Sequence, residues 1–261
     1  MTRPAMMKSF RPALMTALVS LTAALAACGT TDAADPLAPT GPTGRVRFVN
    51  VITDTTRGRV NAILENVPFG VNLTYTQSTP ITLAAPNTAN YSPILAGSRT
   101  LVLKRTADTN TVVATIGFTV TGGQDQTIYA TGGAGASAIG NYITTDDNAL
   151  SATQARVRVV HLSPTAGAVD VFVTAPGADL AAATPTLSNV TVRSASAYLA
   201  VNPGTYQVRV VPAGTPPAGR AAAVAINVAS LALVANTVRT IVAADNNVGG
   251  APLRAFVLLD R

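Results

Sequence analysis

His161 is the only histidine and Cys28 the only cysteine in this 261-residue chain. Those two counts narrow the available chemistry. A nucleophilic triad would need Ser163 as the attacking hydroxyl, His161 as base, and an acid such as Asp170 to orient it. Zinc would lack its usual nitrogen and sulfur ligands. Carboxylate chemistry has one nearby mixed pair, Asp54 and Glu65, and a glycosidase would need them facing each other across a cleft. Asp146-Asp147-Asn148 and Asp245-Asn246-Asn247 offer oxygen donors to calcium. Neither has the alternating spacing and distal glutamate of a calcium loop, and Asp and Asn are ordinary turn formers. Gly132-Gly133-Ala134-Gly135 lacks the lysine and helix that a phosphate cradle requires.

An internal repeat weighs on the histidine. Arg45-Val46-Arg47-Phe48-Val49-Asn50-Val51 returns as Arg156-Val157-Arg158-Val159-Val160-His161-Leu162, and the echo continues in order. Val60 to Leu64 answers Val169 to Val173, and Tyr91 answers Tyr198. Gly97 with Leu101 and Leu103 answers Gly204 with Val208 and Val210. Phe118 to Ala130 aligns without gaps on Leu231 to Ala243, and Ile143 to Asp146 answers Val257 to Asp260. Asn50 stands where His161 does, so the position asks for a polar group and not a titrating one. The repeated Tyr91 and Tyr198 read as core or corner packing and not as a sugar platform. No catalytic, cofactor-binding or metal-binding residue is assigned.

The elements that carry these residues are strands. Val169, Val171 and Val173 share one face, as do Tyr206, Val208 and Val210, with Asp170, Gln207 and Arg209 on the other. Turn signals separate the segments at Gly122-Gly123, Asn202-Pro203-Gly204, Val211-Pro212-Ala213-Gly214 and Asp245-Asn246-Asn247. Gly123 aligns with Asn236, and both residue types tolerate a positive φ. No segment after the N-terminal region has a helical period. The expected fold is all-β: two tandem antiparallel immunoglobulin-like β-sandwich modules, residues 45–150 and 151–261, each able to fold alone.

Arg156-Val-Arg-Val-Val-His-Leu-Ser-Pro164, then Ala168-Val-Asp-Val-Phe-Val173, then Tyr198-Leu-Ala-Val-Asn-Pro-Gly-Thr-Tyr206 resembles the bacterial domain-of-unknown-function family numbered 4397. The resemblance covers both copies, the second more closely. The first lacks the Leu-Ser-Pro and carries Asn61 in place of Asp170. It implies secreted or lipid-anchored envelope proteins and brings no activity with it.

The N-terminus supplies a location. Arg3, Lys8 and Arg11 precede an apolar run from Ala13 to Leu25, and Leu25-Ala26-Ala27-Cys28 closes it. This pattern resembles the bacterial lipobox, which predicts a cleaved signal over residues 1–27 and lipidation of Cys28. The apolar run is shorter than the ~20 residues of a spanning helix. A Pro/Gly/Thr-rich tether follows over residues 28–44, with prolines at 36, 39 and 42. Gly29 follows the cysteine where an inner-membrane retention aspartate would stand, which favours the outer membrane. Removing Arg3, Lys8 and Arg11 from the 18 basic residues leaves 15 against 12 acids, with no basic run, so no nucleic-acid partner is expected. The expectation is an envelope protein held to the membrane through lipid on Cys28, non-enzymatic, with an envelope protein or polysaccharide as partner. A carbohydrate- or calcium-binding surface module is the alternative, and a carboxylate-based glycan hydrolase comes third.

Overall fold

The computed structural model describes residues 41–80 and 90–261, and Gly41–Arg261 form one compact unit. The signal, Cys28 and residues 28–40 of the tether lie outside the described residues. The first half runs β1 (Thr43–Ile52), β2 (Val60–Leu64), β3 (Val67–Leu73), β4 (Ser92–Leu95), β5 (Gly97–Arg105), β6 (Asp108–Val120), β7 (Asp125–Gly132) and β8 (Ile139–Asp146). The second half runs β9 (Ala155–His161), β10 (Val169–Thr174), β11 (Leu187–Val190), β12 (Ser194–Ala195), β13 (Leu199–Val201), β14 (Gly204–Pro212), β15 (Ile226–Leu233), β16 (Val238–Ala244) and β17 (Arg254–Leu259).

Each half forms two sheets. In the first the orders are β4-β1-β7-β8 and β3-β2-β5-β6. In the second they are β12-β9-β16-β17, with β13 also on β9, and β11-β10-β14-β15. Strand for strand, the second half retraces the first. One pairing in each half departs from the expected antiparallel pattern: β1 runs parallel to β7, with Arg47 opposite Thr127, and β9 runs parallel to β16, with Arg158 opposite Thr240. Parallel neighbours need a long crossover, and here the whole of the other sheet supplies it.

Strand alternation sorts β1 into two sets. Val46, Phe48 and Ile52 enter a core with Leu101, Leu103 and Ile128, between the two sheets of the first half. Val49 and Val51 face the other way and pack with Tyr129, Val160, Leu162 and Val242. β9 does the same, sending Val157 and Val159 into the second half's core with Val171 and Val210. The sheets built on β1 and β9 therefore bury both faces, giving four stacked layers with three apolar seams. Two-sided burial is why these strands read as near-continuous apolar runs. Each fully buried Val, Leu or Ile contributes about 1.5–3 kcal/mol, so the middle seam rivals a domain core in strength per residue.

Turn geometry follows residue type. Glu65 and Asn66 link β2 to β3 with φ of 46° and 67°, the two-residue hairpin that requires positive φ at both positions. Gly123 and Asn236, at equivalent β6–β7 and β15–β16 turns, both have positive φ. The outer face of β10 and β14, which carries Asp170, Gln207 and Arg209, is partly covered. Phe172 and Val211 pack there with Leu180, and the Arg220 guanidinium lies 5.1 Å from the Phe172 ring centre.

Candidate functional site

The strongest concentration of chemistry-bearing residues lies in the middle seam. Alternation along β1 and β9 puts Arg47 and Arg158 on the same faces as Val49 and Val160, and each arginine is only 2 % exposed. Arg47 Nη2 donates to Asp260 Oδ1 at 2.7 Å, reaching from the first half into the second. Arg158 Nη2 makes the reciprocal ion pair with Asp146 Oδ1 in the first half. Asp146 and Asp260 end β8 and sit just past β17, at equivalent places.

Each carboxylate is also held by its own half. Asp146 accepts from Thr127 Oγ1, from Thr144 Oγ1 at 2.7 Å and from Tyr91 Oη at 2.8 Å. Asp260 accepts from Thr240 Oγ1 at 2.6 Å and, more weakly, from Tyr198 Oη at 3.4 Å. Thr127 and Thr240 also accept from Arg47 and Arg158. The Arg47 guanidinium stands 4.5 Å from the Tyr91 ring centre and Arg158 4.8 Å from that of Tyr198. The result is a two-fold-like exchange in which every buried charge has an opposite partner from the other half.

Burial works against charge on Arg47, but Asp260, Tyr91, Tyr129 and Asp146 overcome it and hold its pKa above the ordinary value. Arg158 is raised in the same way against its own burial. Burial pushes the carboxyl of Asp260 up, opposed chiefly by Arg47. Burial also lifts Tyr91, Tyr129 and Tyr198, so all three phenols stay neutral donors or fillers. Each of the four charged side chains is almost wholly enclosed and answered by a charge from the other half. The array fastens two halves in one register.

The sequence-derived candidates fall elsewhere. His161 is fully buried, its Nε2 donating to the Gly167 carbonyl at 2.7 Å while Nδ1 faces the Ser163 amide at 3.5 Å. Asn50 makes the same pair of contacts, to the Gly58 carbonyl at 2.6 Å and from the Ile52 amide at 3.1 Å. Both side chains tie a strand end to the following loop. Ser163 gives its hydroxyl to Asp245, and Asp170 accepts from the Asn189 amide, so no triad is assembled. Asp54 is held by Arg57 at 2.5 Å, which with two backbone amides keeps its carboxyl below the usual range despite partial burial. Glu65 accepts from the Thr100 amide at 2.6 Å and does not line the cavity beside Asp54. Asp147 pairs with Arg156 at 2.6 Å, Asn148 donates to Asp125 at 2.6 Å, and Thr165 donates to Asp245 at 2.6 Å. The carboxylates of Asp147 and Asp245 are thus engaged internally, while Asn148 Oδ1 has no hydrogen-bond partner among the described residues.

Sequence reading missed the pairing of Arg47, Arg158, Asp146 and Asp260, although a signal was present. The repeat keeps all four charges, the two arginines inside strands between apolar neighbours and the two aspartates at or just past the end of the last strand of each half. A charge that recurs at a strand position in both copies, beside buried valines, marks a paired buried site.

The fold and its buried exchange define an all-β protein of two like, two-sheet halves locked face to face. Residues 44–172 match the model of a family described as a domain of unknown function (DUF4397), in support of the resemblance carried by the repeated strands. The match takes in all of the first half and ends at Phe172 in β10. No curated protein matches the chain. Among solved structures, a leucine-rich repeat protein from Bacteroides thetaiotaomicron is 16 % identical, over 77 % of this chain and 26 % of that one, with a TM-score of 0.20. The chain thus spans about a quarter of that protein's length.

Proposed function

We propose that this is a lipid-anchored, non-enzymatic protein of the bacterial envelope, carrying two copies of the DUF4397-type module fused into one rigid body that presents its loops to an envelope partner. One observation carries the reading. The groups that chemistry would recruit, namely His161, Asp146, Asp245, Asp260, Arg47 and Arg158, are buried and committed to internal partners. A protein that spends its titratable residues on fixing the angle between two modules is built to hold a surface in a defined shape.

The N-terminal pattern supports the anchored location, with Cys28 as the lipid-bearing residue. Membrane fractionation with Cys28→Ser tests it. The native chain is expected in the membrane fraction and the variant in the soluble envelope fraction. Equal partition of the two would remove the anchor. Protease shaving of intact cells then reads the face: cleavage places the modules outside, protection places them in the periplasm.

A further inference from the structure

A cleft of about 440 Å³ opens where the loops after β1 and β3 meet the β16–β17 loop. Two arginines line it, Arg59 at the start of β2 and Arg254 at the start of β17; both are exposed, and neither is in an ion pair among the described residues. The cleft's one carboxylate, Asp54, is already neutralised by Arg57. Thr55, Thr74, Thr76 and Asn247 also line the cleft and bring neutral donors and acceptors to it. Tyr75 forms a half-buried aromatic wall, fixed by its hydroxyl donating to the Asp245 carbonyl. Burial pushes that phenol up to about 12, so it brings no negative charge.

The internal repeat provides a control. Arg59 corresponds to Ala168, each preceding its β2-type strand directly after an equivalent glycine. Arg254 corresponds to Gly140: Ala244 opposes Arg254 in one half and Thr131 opposes Gly140 in the other. The counterpart hollow is smaller, about 270 Å³, and is lined by Thr53, Thr131, Leu162, Pro164 and Val192 with Arg193 as its single charge; Ala168 and Gly140 are not part of its lining, and the Arg193 guanidinium lies over Gly140. The fold is therefore satisfied by Ala and Gly at these two positions. Arginine at both, on one side only and facing one cleft, is not a requirement of the architecture.

We infer that this cleft binds an acidic sugar residue of an envelope polysaccharide, with Arg59 and Arg254 holding its carboxylate and the threonine hydroxyls and Asn247 its ring hydroxyls. An arginine fork suits a planar carboxylate. The hydroxyl-rich lining and the aromatic wall suit a polyol better than an extended peptide. The inference rests on the envelope reading for where the ligand is met, but the site is testable without it.

The test is calorimetric titration of the full chain with a galacturonic acid oligomer, a neutral galactose oligomer and inorganic phosphate. The uronate oligomer is expected to bind, more weakly as salt rises, and the neutral oligomer not to bind. Arg59→Ala and Arg254→Ala should each weaken uronate binding at least tenfold without moving the melting temperature, since the equivalent positions of the other half are Ala168 and Gly140 and neither arginine is in an ion pair among the described residues. Three results would overturn the site: no uronate binding by the folded native chain, binding unchanged in both variants, or phosphate binding in place of uronate. Each leaves the location readout from shaving and fractionation untouched, so failure of the site and failure of the envelope reading are told apart.

Discussion

Arg47 and Asp260 meet at 2.7 Å with both side chains at most 2 % exposed, although 213 residues separate them in sequence. Their counterparts Arg158 and Asp146 repeat the pair in the opposite sense. Removing one partner strands a buried charge, so Arg47→Ala and Asp260→Ala should each cost about 3–5 kcal/mol. Replacing both at once, by Arg47→Ala with Asp260→Ala, leaves neither charge stranded by the other and should cost less than the sum of the single changes. Urea unfolding of the four proteins gives the cycle, and additive losses would mean that the pair is not coupled.

Exposure sets the contrast with Arg156 and Asp147. These also approach to 2.6 Å, but the Asp147 side chain is 63 % exposed, where water screens the pair and the side chains lose entropy in making it. Asp147→Asn is expected to change stability by less than about 1 kcal/mol. A loss comparable to that of Asp260→Ala would show that distance, and not burial, sets the strength of these pairs.

The middle seam bears on the expectation that each half folds alone. Cutting the chain between Asp147 and Ala155 would expose Val160, Leu162, Val242 and Leu258 on one face and leave Arg158 and Asp260 without their partners. The native chain should melt in a single transition. A segment from Ala155 to Arg261 should melt lower than the native chain, or associate through the bared face. A segment that stayed monomeric with the native melting temperature would mean that the seam contributes no stability.

Much of this architecture was legible in the residues. The strand faces of Val169, Val171, Val208 and Val210 follow from alternation, and the turns at Gly123 and Asn236 follow from their tolerance of positive φ. The correspondence of Asn50 with His161 points to a polar strand-end group, and both side chains make that contact to the following loop. What stayed hidden needed the third dimension. Alternation says that Arg47 points away from Phe48, but not that another sheet waits there, because an exposed face and a face buried on a like module carry the same period. Arg59 and Arg254 were invisible for a related reason: they lie far apart in sequence, and only their departure from Ala168 and Gly140 distinguishes them.

Tyr129 is fully buried in the seam, 6.4 Å from the Tyr142 ring centre, and its hydroxyl has no hydrogen-bond partner among the described residues. A buried hydroxyl without a partner carries its desolvation cost uncompensated. Tyr129→Phe keeps the ring and removes that cost, so it should be neutral or stabilise by up to about 1 kcal/mol. Tyr91→Phe, which deletes the 2.8 Å bond to Asp146, should instead destabilise by about 1–3 kcal/mol. Paired denaturant melts decide between them, and a destabilised Tyr129→Phe would mean that the hydroxyl has a partner in solution.

His161 titrates in a direction that can be read from stability. Burial lowers its pKa below the ordinary 6.5, outweighing the Gly167 carbonyl and the nearby Asp245, which favour the charged form. The unfolded chain therefore takes up a proton at a higher pH than the folded chain does. Stability is fully present above 6.5 and falls as pH drops below it, until the folded-state pKa is passed, with a limiting slope of about 1.4 kcal/mol per pH unit for one proton. His161→Asn installs the side chain that the first half already uses at Asn50 and removes this titration. Its stability should be flatter between pH 6.5 and 5 than that of the native chain, whatever the offset at neutral pH. An equal slope in the two proteins would assign the acid sensitivity to other groups and leave His161 silent.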